Sequence, residues 1–147
     1  MRQQRLGRSQ KGFTLIEVMI VVVILGILAA AIVPNITGRA GEARTIKAKS
    51  DIRTLAGALN NYKLDNFRFP STEQGLDALV SKPSGEPEPK NWRGGGYISN
   101  LPNDPWGNPY QYLSPGENGP FDIWTYGADG IEGGEDENTD VSSWDKN

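Results

Sequence analysis

Sixteen consecutive residues, Val18 to Val33, carry no charged or polar side chain. With Phe13 to Ile16 ahead of them they reach roughly the 20 residues with which a helix crosses a bilayer. A helix that is apolar all round has no watery face, so this one needs lipid or sister helices around it. Glu17 stands alone near the start of the run. An ionised carboxylate inside a spanning segment costs on the order of 3 kcal/mol on insertion scales, so such a residue needs a partner or a task.

The remaining residues are polar enough for one compact head, and a length of 147 residues leaves little room for a second full domain. There is no cysteine and no histidine. A disulfide framework and a cysteine metal site are therefore excluded, and the commonest general base is missing. Residues 1–12 hold Arg2, Arg5, Arg8 and Lys11 and no acid; without them 11 basic residues face 18 acidic ones, a net charge of −7. Such a body is a poor partner for nucleic acid, which needs a basic surface. Positive charge ahead of an apolar segment holds that end in the cytoplasm and sends the rest of the chain across the membrane.

Two processing routes fit this N-terminus. A secretory signal peptide would be cut at the small residues Ala29-Ala30-Ala31, giving a soluble protein. A cut after Gly12 would instead leave the stalk attached, and the abrupt Gly-Phe step favours it. Gly12-Phe13-Thr14-Leu15-Ile16-Glu17-Val18 resembles the leader junction of type IV pilins and type II secretion pseudopilins. The resemblance implies cleavage between Gly12 and Phe13 by a prepilin peptidase, N-methylation of Phe13 by the same enzyme, and a role for Glu17 in assembly. The expected divisions are a leader over 1–12, a membrane and assembly helix over 13–36, and a periplasmic head over 37–147.

Pro34 removes a hydrogen bond and is expected to kink or unwind the helix near Ala30 to Pro34. Beyond it Ala48, Ile52, Leu55, Leu59 and Tyr62 recur at a 4-3-4-3 spacing, one face of a helix. The prediction is one helix from Phe13 to about Tyr62, roughly 75 Å long. Ser71 and Gln74 read as a capping box for a short helix bearing Leu76, Leu79 and Val80. Two strand candidates come next, Tyr110 to Leu113 and Phe121 to Tyr126, joined by a turn over Ser114 to Gly119. The fold class is α+β, a long N-terminal helix packed on a small antiparallel sheet.

The head narrows the resemblance. Pro70-Ser71-Thr72-Glu73-Gln74-Gly75-Leu76, Leu101-Pro102-Asn103-Asp104-Pro105-Trp106-Gly107 and Gly127-Ala128-Asp129-Gly130 are similar to segments of the major pseudopilins of type II secretion systems. Type IV pilins would share the N-terminus but not this head. From Asp129 onward the tail carries Asp129, Glu132, Glu135, Asp136, Glu137, Asp140 and Asp145. Composition alone would make it a solvated acidic terminus, whereas its glycines and the apolar Val141 and Trp144 would allow an anchored loop. Hard oxygen ligands on a tight loop suit calcium. An EF-hand starting at Asp129 is ruled out by Ile131, Gly133 and Asp140 at ligand positions. The resemblance implies a different C-terminal calcium loop, with side chains of Asp129 and Asp140 and backbone oxygens of Tyr126 and Ile131 as ligands. Thr139 stands where some relatives have an aspartate, so Thr139 or Asp136 is the alternative further ligand.

No phosphate loop is present, because Gly94-Gly95-Gly96 lacks the lysine and helix start that one needs. Trp106 and Trp124 sit in a turn and a strand, where burial is the simpler expectation than a sugar platform. The expected function is structural and non-enzymatic. The chain would be a subunit that waits in the bacterial inner membrane with its head in the periplasm and polymerises into a pseudopilus serving protein export. Its implied partners are other copies of itself, minor pseudopilins, the prepilin peptidase, the inner-membrane assembly platform and lipid before assembly. The alternatives are a subunit of a type IV pilus or competence filament, and a secreted calcium-binding hydrolase or carbohydrate-binding module.

Overall fold

The computed structural model describes residues 12–145, with the side chains of 31–38 excepted. Arg2, Arg5, Arg8 and Lys11 of the expected leader, and Lys146, lie outside the described residues. Two compact units divide between Thr37 and Gly38.

A single helix, α1, runs Leu15–Asn66. The expected unwinding at Pro34 is not found, since the helical backbone passes through it without a break. One proline removes one hydrogen bond from the ladder, and the bonds on either side are enough to carry the turns through. In the first unit every described side chain from Phe13 to Ala30 is exposed. Among the described residues no helix is long and apolar enough to cross a membrane.

The second unit is built on the other half of α1. Ala48, Ile52, Leu55, Leu59 and Tyr62 are all buried, as their spacing requires, in one cluster with Leu76, Leu79, Tyr110, Ile123 and Val141. Burial of a leucine or isoleucine is worth about 1.5–3 kcal/mol, so this stripe is the main force fixing the head to its helix. Four residues beyond the expected end, Asn66 closes the helix. Its Nδ2 donates to the Tyr62 carbonyl (3.0 Å) and to Tyr97 Oη (2.9 Å), while its Oδ1 accepts the Asn91 N–H (2.9 Å).

Ser71 and Gln74 form the expected reciprocal box: the Gln74 N–H donates to Ser71 Oγ (3.2 Å) and the Ser71 N–H to Gln74 Oε1 (3.0 Å). The box opens only a 3₁₀ turn, Leu76–Leu79. Gly75, at φ 62°, takes the chain out of helical geometry straight after the box, so no α-helix grows from it.

The sheet has three antiparallel strands in the order β1 (Gln111–Leu113), β2 (Asp122–Thr125), β3 (Val141–Ser142). Tyr112 faces Ile123 across β1 and β2, and Thr125 faces Val141 across β2 and β3. β1 and β2 occupy the two expected segments; β3, two residues long, forms where the sequence suggests only an anchor point at Val141. The β1–β2 turn is organised by buried Asp122, whose Oδ2 accepts the N–H groups of Glu117 (2.8 Å) and Asn118 (3.0 Å) and the Asn118 amide (3.1 Å). Asp104, also buried, accepts the N–H groups of Trp106 (3.0 Å) and Asn108 (2.7 Å) and the Thr125 hydroxyl. Asp104 is tolerable when buried because several donors replace its water; at Asp122 they do so for Oδ2 alone, and Oδ1 is buried with no hydrogen-bond partner. Trp106 and Trp124 are half-buried.

Candidate functional site

Three features of the chain can act on something beyond it: the stalk with Glu17, the acidic loop between β2 and β3, and the seat of that loop on α1. Glu17 occupies the first turn of α1, where it completes a second reciprocal box. The Thr14 N–H and hydroxyl donate to Glu17 Oε2 (2.8 and 2.9 Å), and the Glu17 N–H returns to Thr14 Oγ1 (3.3 Å). The carboxylate thus satisfies helix donors that would otherwise be bare, next to the positive end of the helix dipole. The Thr-x-x-Glu spacing that signals this box is legible in the sequence, but it lies inside the processing motif and is masked by it. Exposed Phe13 lies just ahead of it. The stalk from there to Ala30 presents apolar surface on every side, which in water is a surface for association.

The loop leaves β2 at Tyr126 and returns at Asp140. Gly127 takes φ 70°, and a Cβ there would stand 2.8 Å from the Glu137 carbonyl oxygen, so the two ends of the loop meet only because that position has no side chain. Next to it the Ala128 N–H donates to the same carbonyl (2.9 Å). The returning arm is a 3₁₀ turn, Asp136–Asn138, entered through Asp136 at φ 55°.

The expected ligand residues are distributed unequally over this loop. Asp140 is half-buried: its Oδ2 accepts the Gly133 N–H (2.9 Å), and its Oδ1 is buried with no hydrogen-bond partner. It shares a cleft with Tyr126, Glu132 and Trp144. Asp129 is exposed, its Oδ1 accepting the Ile131 N–H (3.1 Å), and neither Asp129 nor Ile131 lines that cleft. Thr139 and Asp136 are exposed. Among the described residues no three carboxylates converge closely enough to hold a metal ion by themselves. Of the expected ligands only Asp140 offers an orphaned, buried carboxylate oxygen that lacks a positive partner, an oxygen of the kind calcium takes; Asp129 stands outside its cleft.

The third feature has no signal in the sequence. Glu137 packs over Gly41, and its Oε1 accepts a hydrogen bond from the Arg44 guanidinium (2.8 Å). The acidic loop is thereby held against the first turns of α1 inside the head. No local pattern could have announced it, because the partners are 93 residues apart.

The chain is similar to proteins of one secretion family. Residues 35–144 match the family described as type II secretion system protein G, and residues 7–33 match the prokaryotic N-terminal methylation motif. Type II secretion system core protein G of Pseudomonas aeruginosa is 61% identical over 94% of this chain and 97% of its own length. The Vibrio cholerae protein of the same name is 59% identical over 93% of each. Among solved structures, the crystal structure of the major pseudopilin from the type 2 secretion system of enterohaemorrhagic Escherichia coli superposes with a TM-score of 0.67 at 49% identity. It covers 76% of this chain and 95% of its own.

Proposed function

Because the chain belongs to the type II secretion system protein G family, it is a structural subunit of the secretion pseudopilus, and we propose that its stalk, leader junction and acidic loop each serve one step of filament assembly. It is inserted in the inner membrane by the apolar half of α1, with the head in the periplasm. Prepilin peptidase cuts between Gly12 and Phe13 and methylates the new amine. The subunit then leaves the lipid for a filament of its own kind, with minor pseudopilins and the inner-membrane assembly platform as further partners.

The observation that carries this reading is the unbroken exposure of the apolar stalk from Phe13 to Ala30, in a chain whose head closes a core of its own. Only lipid or other stalks can cover such a surface. Once stalks pack together, Glu17 would meet the Phe13 amine of a neighbouring subunit, an opposite charge that offsets the cost of placing it among apolar side chains.

The acidic loop takes a calcium ion, held by the side chains of Asp129 and Asp140 and the backbone oxygens of Tyr126 and Ile131, with Thr139 or Asp136 as a further ligand. Bound calcium supplies the positive charge that the crowded carboxylates lack. Asp140 brings the β3 end of the loop to that charge, Asp129 brings the β2 end, and Glu137 remains on Arg44.

N-terminal sequencing of the mature protein, made alongside its secretion machinery, tests the reading. A terminus at Phe13 with filaments in the sheared fraction is the expected result. A terminus at Ile32 and a soluble product would replace it with a secreted module.

A further inference from the structure

We propose that the distal end of α1 is a docking surface for the acidic loop of a second copy of this chain, so that heads stack end to end; this rests on the reading of the chain as a self-assembling subunit. The starting point is Phe67. It comes directly after the last residue of α1 in left-handed conformation, φ 63°, with its N–H donating to the Lys63 carbonyl (2.7 Å). That is the helix-ending geometry usually given to glycine, and a bulky L residue is strained in it. Burial does not compensate, because the Phe67 residue is 77% exposed. Neither the backbone nor the core of the subunit accounts for a phenylalanine here, so its use lies outside the subunit.

Its surroundings define what it would meet. Leu64 is 74% exposed one turn earlier, and exposed Arg68 is the next residue. Exposed Lys90 is held nearby, because the neighbouring Asn91 donates its side-chain amide to the Asp65 carbonyl and its N–H to Asn66. Among the described residues neither Arg68 nor Lys90 has a carboxylate partner, whereas Lys82 and Arg93 do. The tip is therefore an apolar pair flanked by two uncommitted cations.

The complementary surface lies at the other end of the same head. Ile131 is 67% exposed on the acidic loop, beside exposed Glu132 and Glu135, which are not among the proposed cation ligands and for which no cation partner is found among the described residues. Glu137 fixes that loop at Arg44, so the two surfaces are separated along α1 by about 35 Å, at 1.5 Å per residue. Each end thus has an exposed apolar centre with charges of opposite sign around it. A contact between two different surfaces of identical subunits does not close on itself and extends into an open polymer, which is what a filament requires. Complementary charge also sets the register of such a contact.

The test uses the full chain, processed in cells that carry its secretion machinery. Phe67→Gly is expected to cut the yield of sheared filaments by about tenfold, the effect of losing one apolar anchor at an interface. Its melting temperature in detergent should not fall, because glycine suits the backbone better. Since the chain has no cysteine, the pair Phe67→Cys and Ile131→Cys with a short thiol crosslinker should give a ladder of covalent multimers from filaments, and each single variant should give none. Wild-type filament yield from Phe67→Gly, a lowered melting temperature in that variant, or filaments of the double variant without a ladder would each overturn the contact. Failure of the unaltered chain to form filaments would remove the assembly reading and this contact with it.

Discussion

Glu137 lies across Gly41 with its carboxylate 2.8 Å from the Arg44 guanidinium, and this one contact ties the C-terminal loop to the helix that carries the stalk. The absence of a side chain at Gly41 makes it possible. A Cβ there would stand 2.6 Å from Glu137 Cγ, well inside contact distance. The ion pair itself is partly exposed, with side-chain exposures of 45% and 37%, so most of its Coulomb energy is screened.

Two substitutions should therefore differ in effect. Arg44→Ala is expected to cost about 0.2–1 kcal/mol, less at high salt. Gly41→Val should cost more, because it displaces the whole Glu137 side chain, and it should speed proteolysis between Gly127 and Asp140 in the processed chain. Equal melting temperatures and equal cleavage in the two variants would show that the seat on Gly41 contributes nothing beyond the charge pair.

Asp104 is a heavily used buried carboxylate of the head, joining the 104–108 turn to β2 through Thr125. Asp104→Ala strands two backbone N–H donors and the Thr125 hydroxyl. The expected loss is on the order of 3 kcal/mol, since hydrogen bonds to a charged group are worth about 1.5–3 kcal/mol each and do not add fully. Asp104→Asn keeps one acceptor and should lose less. Chemical denaturation of both variants decides it, and a loss below that of Arg44→Ala would contradict the assigned role.

Alkaline pH should weaken the head through its tyrosines. Burial, and then the charge of Asp51, push the Tyr110 hydroxyl up. Burial pushes Tyr112 up to about 12, its hydroxyl donating to the Pro70 carbonyl at 2.9 Å. The folded values lie above the unfolded one of about 10, so the folded state binds more protons; stability is full below about pH 10 and drains as pH rises toward about 12. Tyr112→Phe should flatten that decline while lowering stability at neutral pH by about 1 kcal/mol for the lost hydrogen bond. An unchanged slope between those pH values in denaturation curves would refute the assignment.

How much of this can be read from the chain depends on the range of each signal. The stripe from Ala48 to Tyr62 is legible because helical periodicity is a local pattern repeated over several turns. β1 and β2 are legible from their residue types and the proline-glycine turn between them. β3 is not: Val141 and Ser142 make too short a strand to alternate, and their pairing with Thr125 and Trp124 is a tertiary fact. Pro34 does not unwind the helix, because one lost hydrogen bond weighs little among 52 helical residues. Glu137 and Arg44 are out of reach for the same reason as β3. The cation ligands are named by resemblance, and geometry sets Asp140 apart from Asp129 in a way that residue type does not.

Glu17 has two separable roles, and conservative substitution distinguishes them. Glutamine can still accept from the Thr14 N–H and so preserves the cap, but it carries no charge to pair with the Phe13 amine. Both Glu17→Gln and Glu17→Ala should be cut after Gly12, and both should fail to form filaments. Filaments from Glu17→Gln at the yield of the unaltered chain would mean that the cap alone matters.

The acidic loop yields the last prediction. Its carboxylates from Asp129 to Asp140 repel one another, and the buried Asp140 Oδ1 has no donor to face. A cation that binds only the folded form stabilises it by about 2.7 kcal/mol at a hundredfold excess over its dissociation constant. Magnesium should do less, because it demands a smaller octahedral shell and gives up water reluctantly. Chelating calcium from the processed chain in detergent should therefore lower its melting temperature and open the segment between Gly127 and Asp145 to protease, and magnesium should not restore it. Asp140→Ala and Asp129→Ala should reproduce this with calcium present. Because Asp140 already sits in the cleft with an unsatisfied oxygen while Asp129 stands exposed on its own turn, Asp140→Asn should weaken calcium binding even if Asp129 moves in only when the ion arrives. Melting and protease patterns indifferent to calcium in the unaltered chain would show that Glu137 and Arg44, rather than a bound ion, are what order the loop.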